Sequence, residues 1–102
     1  MALYHNVSGE LTQQLLFAGG DIAVSKISFT NIHASTNCTL DLFIEKKLTG
    51  KFYLLKAVEI PVGATLIYKD GITFNNAINQ FGLFIKLTQG ASETPTVDVI
   101  IN

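Results

Sequence analysis

Tryptophan is absent from this chain, cysteine occurs once, and charged residues make up 15% of the 102 positions. Each shortage excludes something. Platforms that stack sugar rings usually rely on exposed Trp and Tyr, so without Trp only Tyr4, Tyr53 and Tyr68 are left as candidates for such a surface. A lone Cys38 has no partner within the chain. It fits a reducing compartment, where the thiol serves as a small apolar group. An average soluble domain carries about 25% charged residues. With far fewer, the exterior must be lined by Ser, Thr, Asn, Gln and apolar side chains.

The basic residues are 7 in number against 8 acidic ones, all lysine and spread out except for Lys46–Lys47. Affinity for phosphate backbones comes from clustered positive charge, so no nucleic-acid partner is expected. No run approaches the ~18 apolar residues of a membrane helix, so no membrane partner is expected either. The opening stretch MALYHNVSGELTQQ lacks the basic start and apolar core of a secretory signal. Net charge is −1 and hydrophobic residues reach 48%. Weak self-repulsion with so much apolar surface favours assembly.

What is present is a period of two. Leu40, Leu42 and Ile44 alternate with Thr39, Asp41, Phe43 and Glu45. Phe81, Leu83, Ile85 and Leu87 alternate with Gly82, Phe84, Lys86 and Thr88, and Val97, Val99 and Ile101 with Thr96, Asp98 and Ile100. Each run lays one apolar row on a sheet face, as a half-buried antiparallel strand requires. The opposite rows are not uniformly polar. Phe43, Phe84 and Ile100 point outward, a sign that this second face is also covered, either by the chain itself or by a partner.

Turn residues separate the runs: Gly19–Asp21, Ala34–Asn37, Thr49–Lys51, Pro61–Gly63, Asp70–Gly71, Asn75–Gln80 and Gln89–Pro95. Strands are expected near 3–7, 11–17, 22–32, 38–47, 52–60, 65–69, 71–74, 81–88 and 96–101. Residues 11–17 also admit two helical turns capped by Ser8. Leu48–Lys51 closes a hairpin, and Gly63 suits the fourth position of a type I turn. So many short strands must fold into two packed sheets or a barrel. The expectation is an all-β antiparallel sandwich of about eight strands, immunoglobulin-like or jelly-roll-like. Residues 1–20 form an N-terminal strand or arm, with an inter-subunit contact open to it, and 21–102 the sandwich core.

Chemistry is scarce. His5 and His33 have no Cys or carboxylate at zinc-ligand spacing, so no metal or cofactor is expected. Asp21, Asp41, Asp70 and Asp98 are solitary, and no nucleophile elbow or phosphate loop is present. Catalytic residues are therefore not assigned. Two sequons, Asn6-Val7-Ser8 and Asn37-Cys38-Thr39, occur, with Asn37 read as a turn residue.

TLDLFIEKK, KFYLLKAVEIPVGATLIYKDGITFNN, FGLFIKLT and VDVIIN, with SFTNIHASTNCTLDLF ahead of them, together resemble a pattern in small virion proteins of tailed bacteriophages. The resemblance spans about Ile27 to Asn102. It implies a non-enzymatic β-sandwich of the particle, assembled in the host cytoplasm: a capsid decoration or cement protein, or a head–tail or tail accessory component. The implied partners are copies of itself, as a trimer or hexamer, and other capsid or tail proteins. A carbohydrate-binding adsorption module of a virion is the alternative. Strand edges are the natural contact sites, with 2–7 and 96–102 the best edge candidates. Together with the outward apolar positions, they nominate Leu3, Tyr4, Phe43, Phe84, Val97, Val99 and Ile100 as interface residues.

Overall fold

The computed structural model describes residues 2–46, 48–69, 72–89 and 94–102. They form eight strands and no helix: β1 (Leu3–Ser8), β2 (Gln13–Leu16), β3 (Lys26–Asn31), β4 (Cys38–Lys46), β5 (Gly50–Ile60), β6 (Thr65–Lys69), β7 (Gly82–Thr88) and β8 (Thr96–Ile101). Two antiparallel four-stranded sheets face each other, in the orders β1-β8-β3-β6 and β2-β7-β4-β5.

The pairing follows a rule. β1 pairs with β8, β2 with β7, β3 with β6 and β4 with β5, so the partner numbers of these four pairs sum to nine, while the β3–β8 and β4–β7 ladders join the pairs into sheets. A long folded-over ribbon, wrapped around itself into two layers, produces this order. It is the eight-stranded jelly roll, and it decides between the two sandwich types left open by periodicity. Only β4 and β5 are joined by a hairpin within one sheet; the connection from β5 to β6, like all the others, crosses between sheets.

The core is built from the rows that alternation marks out. Ile27, Phe29, Leu40, Leu42, Leu83, Ile85, Leu87, Val97, Val99 and Ile101 are all buried between the layers. Each such side chain contributes about 1.5–3 kcal/mol relative to exposure.

Four strand expectations change. Residues 11–17 are neither a helix nor a full strand: only Gln13–Leu16 pairs with β7, and its register shifts between Gln14 and Leu16. This bulge turns both Leu15 and Leu16 into the core, which simple alternation cannot do. Residues 22–25 precede β3 without joining its ladder; Ile22 and Val24 pack on the core as loop residues. Residues 72–74 are not a strand either, although Ile72 is buried; Gly71 lies outside the described residues. Finally, β8 is not an edge. It sits between β1 and β3, with ladders on both sides.

Gly63 is the third rather than the fourth residue of its turn, closed by Ala64 N–H donating to Pro61 O at 3.0 Å. Its φ of +75° is the left-handed conformation that type II turns need at this place. Residues 1–20 supply an edge strand to each sheet: β1 to one and β2 to the other.

Two buried asparagines tie the loops down. Asn31 Nδ2 donates to Thr36 O and Ile60 O while its Oδ1 accepts from His33 N–H. Asn76 Nδ2 donates to Phe17 O and Phe81 O, and its Oδ1 accepts from Ile22 N–H. A buried amide is tolerated because both its ends are satisfied.

Candidate functional site

The two outer faces of the sandwich differ in kind. On the β1-β8-β3-β6 face, strand register aligns Tyr4, Ile100, Ser28 and Ile67 in one row across all four strands. Tyr4 is 73% exposed, Ile67 55% and Ile100 37%. The next row, Asn6, Asp98, Thr30 and Thr65, is polar and internally bonded. Asn6 Nδ2 donates to Asp98 Oδ1 at 2.7 Å, and the Thr30 and Thr65 hydroxyls lie 2.9 Å apart. A shallow hollow of about 290 Å³ lies between Tyr4, Asn6, Asp98 and Ile100. The apolar row has no charged member, and none of the contacts described here covers it.

The β2-β7-β4-β5 face covers its centre, Phe43, although Tyr53 beside it stays 45% exposed. Phe43 points away from the core yet is 1% exposed. Phe84 stacks beside it at 5.6 Å between ring centroids, and Tyr53 tilts against it at 5.3 Å. Lys51 Nζ lies 4.9 Å above the Phe43 ring, and Lys56 Nζ 4.6 Å above Tyr53. Beside this cluster, β5 bulges against β4 and Ala57 takes a φ of +55°. Asp41 secures that bulge: its Oδ1 accepts from Ala57 N–H at 2.8 Å and its Oδ2 meets Lys56 Nζ at 3.4 Å.

At one end of the same face, where Glu45 pairs with Gly82, an open cleft of about 620 Å³ forms. The Phe84 ring and the Gly82 backbone line it, with Gln14, Glu45, Gln80 and Ile78 around them. A Cβ on Gly82 would stand 2.9 Å from both Gln14 Nε2 and Leu16 O, so only glycine leaves room here.

The nominated interface residues scatter through this arrangement. Tyr4 and Ile100 share the bare row. Val97 and Val99 fill the core, and Leu3 packs against it, so their side chains are spent inside the fold. Phe43 is sealed by its neighbours and Phe84 is half-buried. Ile67 was not singled out from the sequence, although alternation in Thr65–Lys69 already places it outward, between Leu66 and Tyr68.

Of the edges, β1 is the least protected. Its six residues run in unbroken register with β8 and carry neither Pro nor Lys. β2 is four residues long, β5 is bulged, and β6 ends in Lys69, all features that discourage pairing with another chain.

The three tyrosines do not gather. Tyr4 and Tyr53 lie on opposite faces, and Tyr68 packs against the core. Asn37 accepts from Val62 N–H through its Oδ1, in keeping with a turn role. His33 Nδ1 accepts from the Ser35 and Thr36 N–H groups. Asp70 lies outside the described residues. Among the described residues, no three His, Cys, Asp or Glu side chains are grouped to hold a metal ion, and no helix is long and apolar enough to cross a membrane. Cys38 is buried, and burial pushes its thiol up from the ordinary 9.0. That disfavours the reactive thiolate.

No protein-family model matches the chain, and no curated protein matches it either.

Proposed function

We propose that this chain is a non-enzymatic structural subunit of a tailed-bacteriophage particle, either a capsid decoration or cement protein or a head–tail or tail accessory component. It works as a homo-oligomer packed on other virion proteins. The reading rests on the resemblance over Ile27 to Asn102 and on a composition poor in charge. The observation that carries it is the uncharged row of Tyr4, Ile100, Ser28 and Ile67 across a whole sheet face.

Covering such side chains contributes about 25 cal/mol for each Å² of apolar surface removed from water. The molecule measures 39 × 28 × 19 Å along its principal axes, so its broad face has room for the ~800 Å² per partner of a standard interface. In a symmetric assembly one such contact is repeated by every copy. The β1 edge borders this face, so a neighbour's strand can extend the sheet where its apolar row is exposed. The jelly roll itself hosts viral coat and lectin domains alike, so the fold supports the reading by analogy only.

The test is made on whole particles. Mass spectrometry of purified virions detects the chain at many copies each, and a particle map places the β1-β8-β3-β6 face against protein. A chain absent from the particles, or one attached with that face toward solvent, overturns the reading.

A further inference from the structure

We propose that the 620 Å³ cleft at the Gly82 end of the β2-β7-β4-β5 face binds a neutral saccharide. This does not rest on a place in the particle. The volume lies within the ~300–1,000 Å³ of small-molecule sites. Its lining sets one aromatic plate and the apolar Ala18, Leu48 and Ile78 beside the amides of Gln14, Asn79 and Gln80.

Phe84 is held by its stack on Phe43, the two ring planes being 11° apart, so the plate is fixed before any ligand arrives. Sugar C–H groups pack on such a ring through its negative π face. Gln14 lies over Gly82 because the missing side chain leaves it room. Gln80 Oε1 accepts from Lys46 Nζ at 3.0 Å, which orients the amide and leaves its amino group to donate. An amide donates and accepts from adjacent atoms, as a pair of vicinal hydroxyls does. Glu45 adds a carboxylate acceptor in the wall.

The same groups argue against other ligands. The Glu45 carboxylate offsets the Lys46 ammonium held on Gln80 Oε1, so no net positive charge draws an anion. A hydrocarbon would strip water from Gln14, Gln80 and Glu45 without replacing their hydrogen bonds. A neutral polyol satisfies the amides and uses the ring as well.

The experiment titrates the isotope-labelled full chain with neutral mono- and disaccharides, and with glucuronate as the charged counterpart of glucose, following backbone amide resonances. At least one neutral sugar is expected to shift Gln80, Gly82 and Phe84 saturably, at roughly millimolar strength, and more strongly than glucuronate does. Gln14→Ala, at an exposed position, weakens that binding about tenfold while resonances elsewhere keep their positions. Gly82→Ala, which fills the floor, abolishes it. The proposal is overturned if no neutral sugar moves these resonances, if glucuronate binds equally well, if the shifts map to another face, or if Gln14→Ala leaves the affinity unchanged. Capture of a protein loop by the cleft in place of any sugar overturns it too.

Discussion

Phe43 and Ile100 occupy comparable places: each is apolar, on an inner strand of its sheet, and turned away from the core. Phe43 is closed over by Phe84, Tyr53 and Lys51, whereas Ile100 stands in the open row with Tyr4 and Ile67. An outward apolar residue therefore has two fates. One face buries Phe43 under aromatic neighbours and lysine stems; the other leaves Tyr4, Ile67 and Ile100 exposed. Apolar outward alternation alone does not separate an interface from a self-sealed surface.

Substitutions can break this contrast. Phe43→Ala removes the centre of the sealed cluster and should cost about 3 kcal/mol, near the low end for a buried Phe because water refills an outer face. Urea unfolding measures it. A cost under about 0.5 kcal/mol, the scale of ordinary surface changes, would show that the face is not sealed. Lys51→Ala takes away the cation over the Phe43 ring and should cost about 0.5–1 kcal/mol. Lys51→Met keeps the stem without the charge, so it separates covering from electrostatics.

A smaller effect comes from Cys38, at the start of the strand that carries Phe43. Burial raises its thiol above 9.0, so the unfolded chain releases the proton at lower pH than the folded one. Stability from this group is complete below pH 9.0 and is lost as pH rises toward the raised value. Cys38→Ala, compared with the natural chain in unfolding series above and below pH 9.0, should lack that loss. The smallest change belongs to the open face. Ile100→Ala should leave the stability of a single copy within about 0.5 kcal/mol, read from dilute unfolding curves.

Much of the core was legible because β4, β7 and β8 alternate strictly, and burial of one face requires that pattern. The misreadings have physical causes. Leu15–Leu16 defeats alternation because a bulge sends both inward. The run Ile72–Phe74 reads as a strand, but no ladder reaches it. The following Asn76 instead holds the 17–22 and 76–81 turns together through its side chain. Strand order is not written in period at all: Val97, Val99 and Ile101 would alternate alike in an edge or a central strand. The β1–β8 pairing that decides the matter joins the two ends of the chain.

The candidate sites were legible to different degrees. Tyr4 and Ile100 could be nominated from alternation and edge position. The cleft could not, because Gln14, Glu45, Gln80 and Gly82 meet only after β2, β4 and β7 align. The mark that Gly82 leaves in the sequence, a glycine opening an apolar strand, does not reveal the side chain that lies over it.

The central claim is that the Tyr4–Ile100–Ser28–Ile67 row exists to be covered by another protein surface, beginning with another copy of this chain. Sedimentation equilibrium of the natural chain beside a Tyr4→Lys, Ile67→Lys, Ile100→Lys variant tests it most directly. The natural chain should form a closed oligomer, while the variant stays a monomer with the same thermal midpoint. Two species that sediment alike, both as monomers or both as the same oligomer, would contradict it.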